Sequence, residues 1–135
     1  MQDNDAATID EIFRICRTIA VVGASSNPAR PSNRVAGYMK AQGYRMIPVN
    51  PKEQTILGEQ VYPSLTSVPD AIDLVDVFRK AEEVLLIVEE AITKGAKAIW
   101  LQEGIVNEAA AVRAKQAGLL IVMDRCLLKE YRRRL

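Results

Sequence analysis

Gly23, Ala24, Ser25 and Ser26 follow an unbroken run of β-branched and apolar residues, and Arg30, Asn33 and Arg34 come shortly after them. Small residues at the carboxyl end of a buried strand let the backbone approach a phosphate group closely. The N-terminus of a following helix adds N–H donors and a positive dipole end. Ser25, Ser26 and Asn33 supply neutral donors, and Arg30 and Arg34 supply charge. Residue types in this order do anion-holding chemistry. They do not form the dinucleotide fingerprint G-x-G-x-x-G, because the next glycine after Gly23 is Gly37.

The second candidate loop is Val49, Asn50, Pro51, Lys52. An NAD site places a carboxylate there to hold the ribose hydroxyls. Here a lysine follows instead, which suits a phosphorylated ribose: the 3′-phosphate of coenzyme A fits better than NAD, and NADP fits as well. Proton-transfer chemistry is poorly supplied. The 135 residues include no histidine, which excludes Ser–His–Asp and Cys–His systems and any histidine metal site, and two cysteines cannot close a thiolate zinc site. Glu103 and Asp124, each after a candidate strand, are carboxylates placed where a base could act, although Glu103 also suits a helix cap or an ion pair with Arg125. Cys126 lies on the same side and is a candidate thiol for a mixed disulfide. Cys16 ends an apolar helical stripe and reads as core. Trp100, within a strand, reads as packing.

These residues need a scaffold, and hydrophobic periodicity supplies one. Helices are expected over residues 9–16 with Thr8 as N-cap, 34–42 with Ser32 or Asn33 as cap and Gly43 as stop, 81–94, 107–116 and 127–133. The stripe in the third of these is Val84, Leu85, Val88, Ala91 and Ile92. Strands are expected over 18–22, 44–49, 72–77, 98–101 and 119–122, with short β pieces at 55–57 and 60–62. Strands alternating with amphipathic helices imply right-handed βαβ units. The expected fold is α/β: a single Rossmann-like domain over residues 1–135, doubly wound, with a mainly parallel five-stranded sheet and helices on both faces. Residues 1–8 are expected to be flexible.

Lys plus Arg number 18 and Asp plus Glu 17, a net charge of +1, so no global field draws in nucleic acid or an acidic membrane. The basic tail over residues 129–134 reads as a solvated helix end. No apolar run approaches a membrane span, and the acidic, polar start is unlike a leader peptide, so a cytoplasmic location is expected.

The segments IAVVGAS (19–25), PVNP (48–51), DVFR (76–79), AIWLQEGI (98–105) and MDRC (123–126) run in order along nearly the whole chain. On these segments the sequence resembles the small stand-alone CoA-binding proteins of bacteria and archaea, which are similar to the N-terminal CoA-binding domain of the succinyl-CoA synthetase alpha chain. The resemblance implies a Rossmann-like fold and coenzyme A as ligand, with no established reaction. It implies that Gly23, Ala24 and Ser25 receive the pyrophosphate, and that Asn50, Pro51 and Lys52 lie near the adenosine and its 3′-phosphate. Val77, Phe78 and Arg79 would line the nucleotide or the start of the pantetheine arm, and Gln102, Glu103 and Gly104 the thiol-directed side. The synthetase's phosphorylated histidine and second domain have no counterpart, so ligase chemistry is not carried over.

The leading expectation is a non-catalytic carrier, sensor or regulatory module for coenzyme A or an acyl-CoA. The alternatives are an acyl-CoA or CoA-disulfide transfer enzyme using Cys126 or Glu103, and an NAD(P)-binding redox sensor. A homodimer, or another protein partner, is left open.

Overall fold

The structure, a computed structural model, describes residues 4–135. Its centre is five parallel strands: β1 (Thr18–Val22), β2 (Arg45–Val49), β5 (Leu74–Val77), β6 (Ala98–Leu101) and β7 (Leu120–Val122), in the order β2-β1-β5-β6-β7. Side chains alternate along each strand between two apolar layers. Ile19, Val21, Leu74 and Trp100 face one layer, whereas Ala20, Val22, Val75 and Ile99 face the other. Burial on both faces is why these strands read as continuous apolar runs rather than alternating ones. Helices α1 (Ala6–Ile15), α2 (Pro31–Ala41) and α5 (Leu127–Arg132) cover the first layer. Helices α3 (Val84–Thr93) and α4 (Glu108–Gln116) cover the second. The expected doubly wound parallel sheet of five strands is therefore what forms.

Between β2 and β5 the chain makes a small antiparallel hairpin, β3 (Thr55–Ile56) and β4 (Glu59–Gln60). Leu57 and Gly58 turn it with φ of 52° and 78°, the paired positive angles of a tight primed turn. The Lys40 Nζ donates to the Leu57 carbonyl at 2.6 Å, tying the hairpin to α2.

Several boundaries differ from expectation for identifiable reasons. Helix α1 starts at Ala6 because Asp5, not Thr8, is its cap: the Asp5 Oδ1 accepts the Thr8 N–H at 2.7 Å, and Thr8 itself is buried. The stretch expected to be flexible lies partly outside the described residues. Helix α2 starts at Pro31, whose fixed φ suits the first helical position, so neither Ser32 nor Asn33 caps it. Residues 81–83 form a 3₁₀ turn before α3. On α3 the buried stripe is Val84, Ile87, Val88 and Ala91, and Leu85 is 42% exposed because it lies about 100° around the helix from Val84.

Asn107 joins the two helices of the second layer. Its Oδ1 accepts the Ala110 N–H at 3.0 Å as the α4 cap, and its Nδ2 donates to the Ala81 carbonyl at 2.9 Å. Asn107→Ala is expected to lower stability by about 1–2 kcal/mol in urea denaturation, while Asn107→Asp, which keeps the cap, loses less than half of that.

Candidate functional site

Strand order reverses between β1 and β5, with β2 on one side of β1 and β5, β6 and β7 on the other. In open parallel sheets the crevice outside the carboxyl ends at such a point is where ligands bind. A cleft of about 880 Å³ lies there, walled by the loops after β1, β2, β5 and β6 and by α5.

The loop after β1 is held from three sides. Gly23 adopts φ of 88°, and its N–H donates to the Val49 carbonyl at 3.1 Å. A Cβ on Gly23 would lie 2.8 Å from the Phe78 carbonyl oxygen and 3.0 Å from the Arg79 Cδ. Glycine is thus required by the close passage of the loop after β5. Asn50 reaches across from β2 to donate from its Nδ2 to the Ala24 carbonyl at 2.8 Å, while its Oδ1 accepts the Lys52 N–H at 2.7 Å. From α2, Asn33 donates to the Ser25 carbonyl at 2.9 Å. The Ser26 N–H donates to the Glu53 carboxylate at 3.2 Å.

Among the expected residues, Gly23, Ala24, Ser25, Arg30, Arg34, Asn50, Pro51, Lys52, Phe78, Arg79, Gln102 and Glu103 all line the cleft. Four do not. Val77, the last residue of β5, is fully buried toward α3 and α4, because alternation along the strand turns it away from the opening. Asn33 and Ser26 shape the first loop from behind. Gly104, at φ of 85°, gives its N–H to the Asp124 Oδ1 at 2.7 Å.

Six cationic residues line the cleft (Arg30, Arg34, Lys52, Arg79, Lys80 and Lys129) against two carboxylates, Glu83 and Glu103. This is a concentrated positive site in a nearly neutral chain. Arg79 pairs with Glu83 at 2.7 Å, which holds the Glu83 carboxyl below the usual range. Lys129 pairs with Glu103 at 3.1 Å, whereas α4 is capped by Asn107 and the Arg125 guanidinium donates to the Asp124 carbonyl, so the expected cap and the expected Arg125 pair are not what forms. Lys80, Glu83, Ile105, Leu128 and Lys129 line the cleft without having been expected there. Lys80 and Glu83 have a local signal in their proximity to Arg79. Lys129 has none, since its place depends on α5 folding back across the sheet.

In the tail over residues 129–134 the basic residues Lys129, Arg132, Arg133 and Arg134 are exposed, as expected of a solvated helix end, while Glu130 and Tyr131 pack inward. Glu130 is buried and ion-paired with Arg133 and Arg134, and Arg134 also pairs with Asp10. Tyr131 sits edge-on to Phe13, Tyr38 and Tyr44.

Below the cleft, Asp76 on β5 is wholly buried between Val21 of β1 and Trp100 of β6. Its Oδ1 accepts from the Gln102 Nε2 at 2.5 Å, and its Oδ2 has no partner among the described residues. Burial pushes this acid up to about 7, the Gln102 bond opposing the shift only in part. Sequence reasoning misses this group, because an aspartate in an apolar strand carries no mark of whether a cation reaches it. Trp100 is core, its Nε1 donating to the Arg125 carbonyl at 2.9 Å. Cys16 is core too, its thiol pushed up to about 12 by burial. Cys126 is half-buried in the cleft wall. Among the described residues no cluster of acids and cysteines could hold a metal, and no helix is long and apolar enough to cross a membrane.

Fold and cleft together define a Rossmann-like protein with a cationic cleft at the switch point of its sheet. The family model described as "CoA binding domain" matches residues 17–132, and the chain belongs to that family. The uncharacterized protein YneT of Bacillus subtilis is 39% identical over 127 residues, 94% of each chain. A solved structure of a hypothetical protein from Pyrococcus horikoshii is 42% identical with a TM-score of 0.91, covering 98% of this chain and 92% of that one. An ADP-forming acetate–CoA ligase of Archaeoglobus fulgidus is 30% identical over 95 residues, 68% of this chain but 14% of the enzyme. The likeness to the ligase thus covers a small part of that enzyme.

Proposed function

We propose that this protein binds coenzyme A or an acyl-CoA through its 3′-phospho-ADP portion, as a non-catalytic carrier, sensor or regulatory module. The carrying observation is the set of six cations against two carboxylates around a cleft at the switch point. A ligand with a pyrophosphate and a further phosphate on its ribose suits that imbalance. In this reading Gly23, Ala24 and Ser25, with Arg30 and Arg34, receive the pyrophosphate, and Lys52 faces the 3′-phosphate. Phe78 and Arg79 border the nucleotide, and Gln102 and Glu103 the arm. Asn33, Asn50, Ser26 and Gly104 hold the loops in place. The carboxylates that could serve as bases are otherwise engaged, Glu103 with Lys129 and Asp124 with the Gly104 N–H. Holding, rather than turnover, is the function they favour.

Calorimetric titration tests this. Coenzyme A is expected to bind about tenfold more tightly than dephospho-CoA, and Lys52→Met to remove most of that difference while leaving dephospho-CoA unchanged. Equal affinities in the wild type would remove Lys52 from the site, and tighter binding of NADP would favour a redox sensor.

Cys126 supports a second reading, exchange with a CoA disulfide. Its thiolate would attack one sulfur, leaving a protein–CoA mixed disulfide and releasing one coenzyme A thiol. An unmodified mass after incubation with CoA disulfide would count against it.

A further inference from the structure

Asp76 is the one buried side-chain polar group among the described residues with an atom left unpaired, and its partner Gln102 lines the cleft. No counter-charge among the described residues approaches it. β1 and β6, its neighbours in the sheet, carry no ionisable side chain. The charged groups of the helices over this face are occupied elsewhere. On α2, Arg34 donates to the Ala29 carbonyl, and Lys40 serves Leu57 and Glu59. On α5, Lys129 holds Glu103, Glu130 holds Arg133 and Arg134, and Arg132 is exposed to solvent. On α1, Glu11 pairs with Arg14, and Asp10 with Arg134. A carboxylate buried this way, with a single amide partner, is far costlier than a neutral carboxylic acid.

Gln102 is that partner, and it also lines the cleft. The other end of its carboxamide has no partner among the described residues and is not among the sealed, unpaired atoms, so it opens on the cleft. A carboxamide joined to a carboxyl group has two arrangements. It donates from nitrogen to a carboxylate, or its oxygen accepts from a carboxylic O–H. In the structure the Gln102 Nε2 donates to the Asp76 Oδ1, the first of these arrangements.

We propose that Gln102, steered by Asp76, is a carbonyl-reading group of the cleft. With Asp76 protonated, its O–H donates to the Gln102 oxygen, and the amide N–H groups face the ligand. With Asp76 ionised, the amide turns over and presents its oxygen, which repels a carbonyl.

The position fits such a ligand group. Gln102 follows β6, three strands from the Asn50 loop after β2, or roughly 14 Å at about 4.8 Å per strand. Around it lie Ile105, Cys126 and Leu128, and its charged neighbours, Glu103 and Lys129, neutralise each other. That end of the cleft suits an uncharged chain bearing carbonyls. The inference rests on the coenzyme A reading above, under which the carbonyl belongs either to the pantetheine amides or to an acyl thioester. Burial places the exchange between the two arrangements near neutral pH.

The test is titration calorimetry at about pH 6 and about pH 8.5 with coenzyme A, acetyl-CoA and 3′-phospho-ADP, which lacks the arm. Affinity for ligands bearing the read carbonyl is expected to fall about tenfold at the higher pH in the wild type relative to Asp76→Asn, a comparison in which the ligands' own phosphate ionisations cancel, while 3′-phospho-ADP shows no difference between the two proteins. A fall for acetyl-CoA alone assigns the thioester, and a fall for both assigns an amide. Asp76→Asn, with no proton to lose, is expected to abolish the fall while binding 3′-phospho-ADP normally, and Gln102→Leu is expected to abolish the fall as well. Arm-bearing ligands as flat with pH as 3′-phospho-ADP, or an undiminished fall in Asp76→Asn, would overturn the proposal. Absence of binding by all three ligands at both pH values would instead remove the coenzyme A reading. The proposal stays separately testable, because the Gln102 side-chain amide resonances of the free protein must then titrate in the wild type and not in Asp76→Asn.

Discussion

Gly23→Ala is expected to destabilise the fold by about 3 kcal/mol and to reduce coenzyme A binding at least tenfold. Two effects combine. Alanine at φ of 88° carries a conformational cost of about 1–2 kcal/mol. Its Cβ would also stand 2.8 Å from the Phe78 carbonyl oxygen. That oxygen belongs to backbone fixed from β1, since the Phe78 N–H donates to the Val22 carbonyl at 2.8 Å. The loop cannot yield without parting the two strands that bound the cleft. Gly43→Ala separates the two effects. Gly43 has φ of 99° but nothing within 4 Å of where a methyl group would stand, so only the conformational cost applies, about 1 kcal/mol. Urea denaturation of both variants reads the difference. Equal losses would show that the crowding at Phe78 is relieved without strain, and would remove the reason for a glycine at this turn.

The same turn shows what a sequence discloses and what it withholds. β1 is legible because a strand buried on both faces must be apolar throughout, and Gly23 because a glycine at its end marks a positive φ. Nothing local says that the tight approach comes from Phe78, a residue more than fifty positions away, rather than from a ligand. Pro31 reads as loop although it fits the first helical position, and that moves the start of α2. Leu85 reads as core because apolarity alone does not fix which side of a helix meets the sheet. The cleft's far wall is the least legible part. Lys129 belongs to a basic run that looks solvated, and only the docking of α5 onto the first layer, through buried Leu127 and through Tyr131 against Phe13, Tyr38 and Tyr44, places it beside Glu103. Local periodicity carries the elements, whereas the charge pattern of the cleft depends on contacts distant in sequence.

Asp76→Asn is expected to make the protein more stable at high pH, by about 3–4 kcal/mol near pH 8.5, and to leave it little changed near pH 4. In the unfolded chain the acid titrates at its ordinary value of 3.8, and in the fold burial holds it up to about 7. Below 3.8 it is neutral in both states and burial is tolerated. Between the two values the folded protein keeps a proton that the unfolded chain has released. Each rise in pH therefore favours unfolding, until the folded acid also ionises and the penalty levels off. A gap of about three pH units corresponds to roughly 4 kcal/mol. Asparagine retains the shape and a partner for Gln102 without this dependence. Asp73 acts in the opposite sense: despite its partial burial, the N–H groups of Arg17 and Thr18 and the Lys97 ammonium lower its value, so its contribution is lost as pH falls. It is common to both proteins, so the difference between their stability profiles isolates Asp76. Denaturant midpoints measured from about pH 4 to pH 9 should converge at the acid end and separate through neutrality. Parallel profiles would mean that Asp76 keeps the same charge in the folded and unfolded states, and a carboxylate without a cation would then have to be stabilised by something other than Gln102.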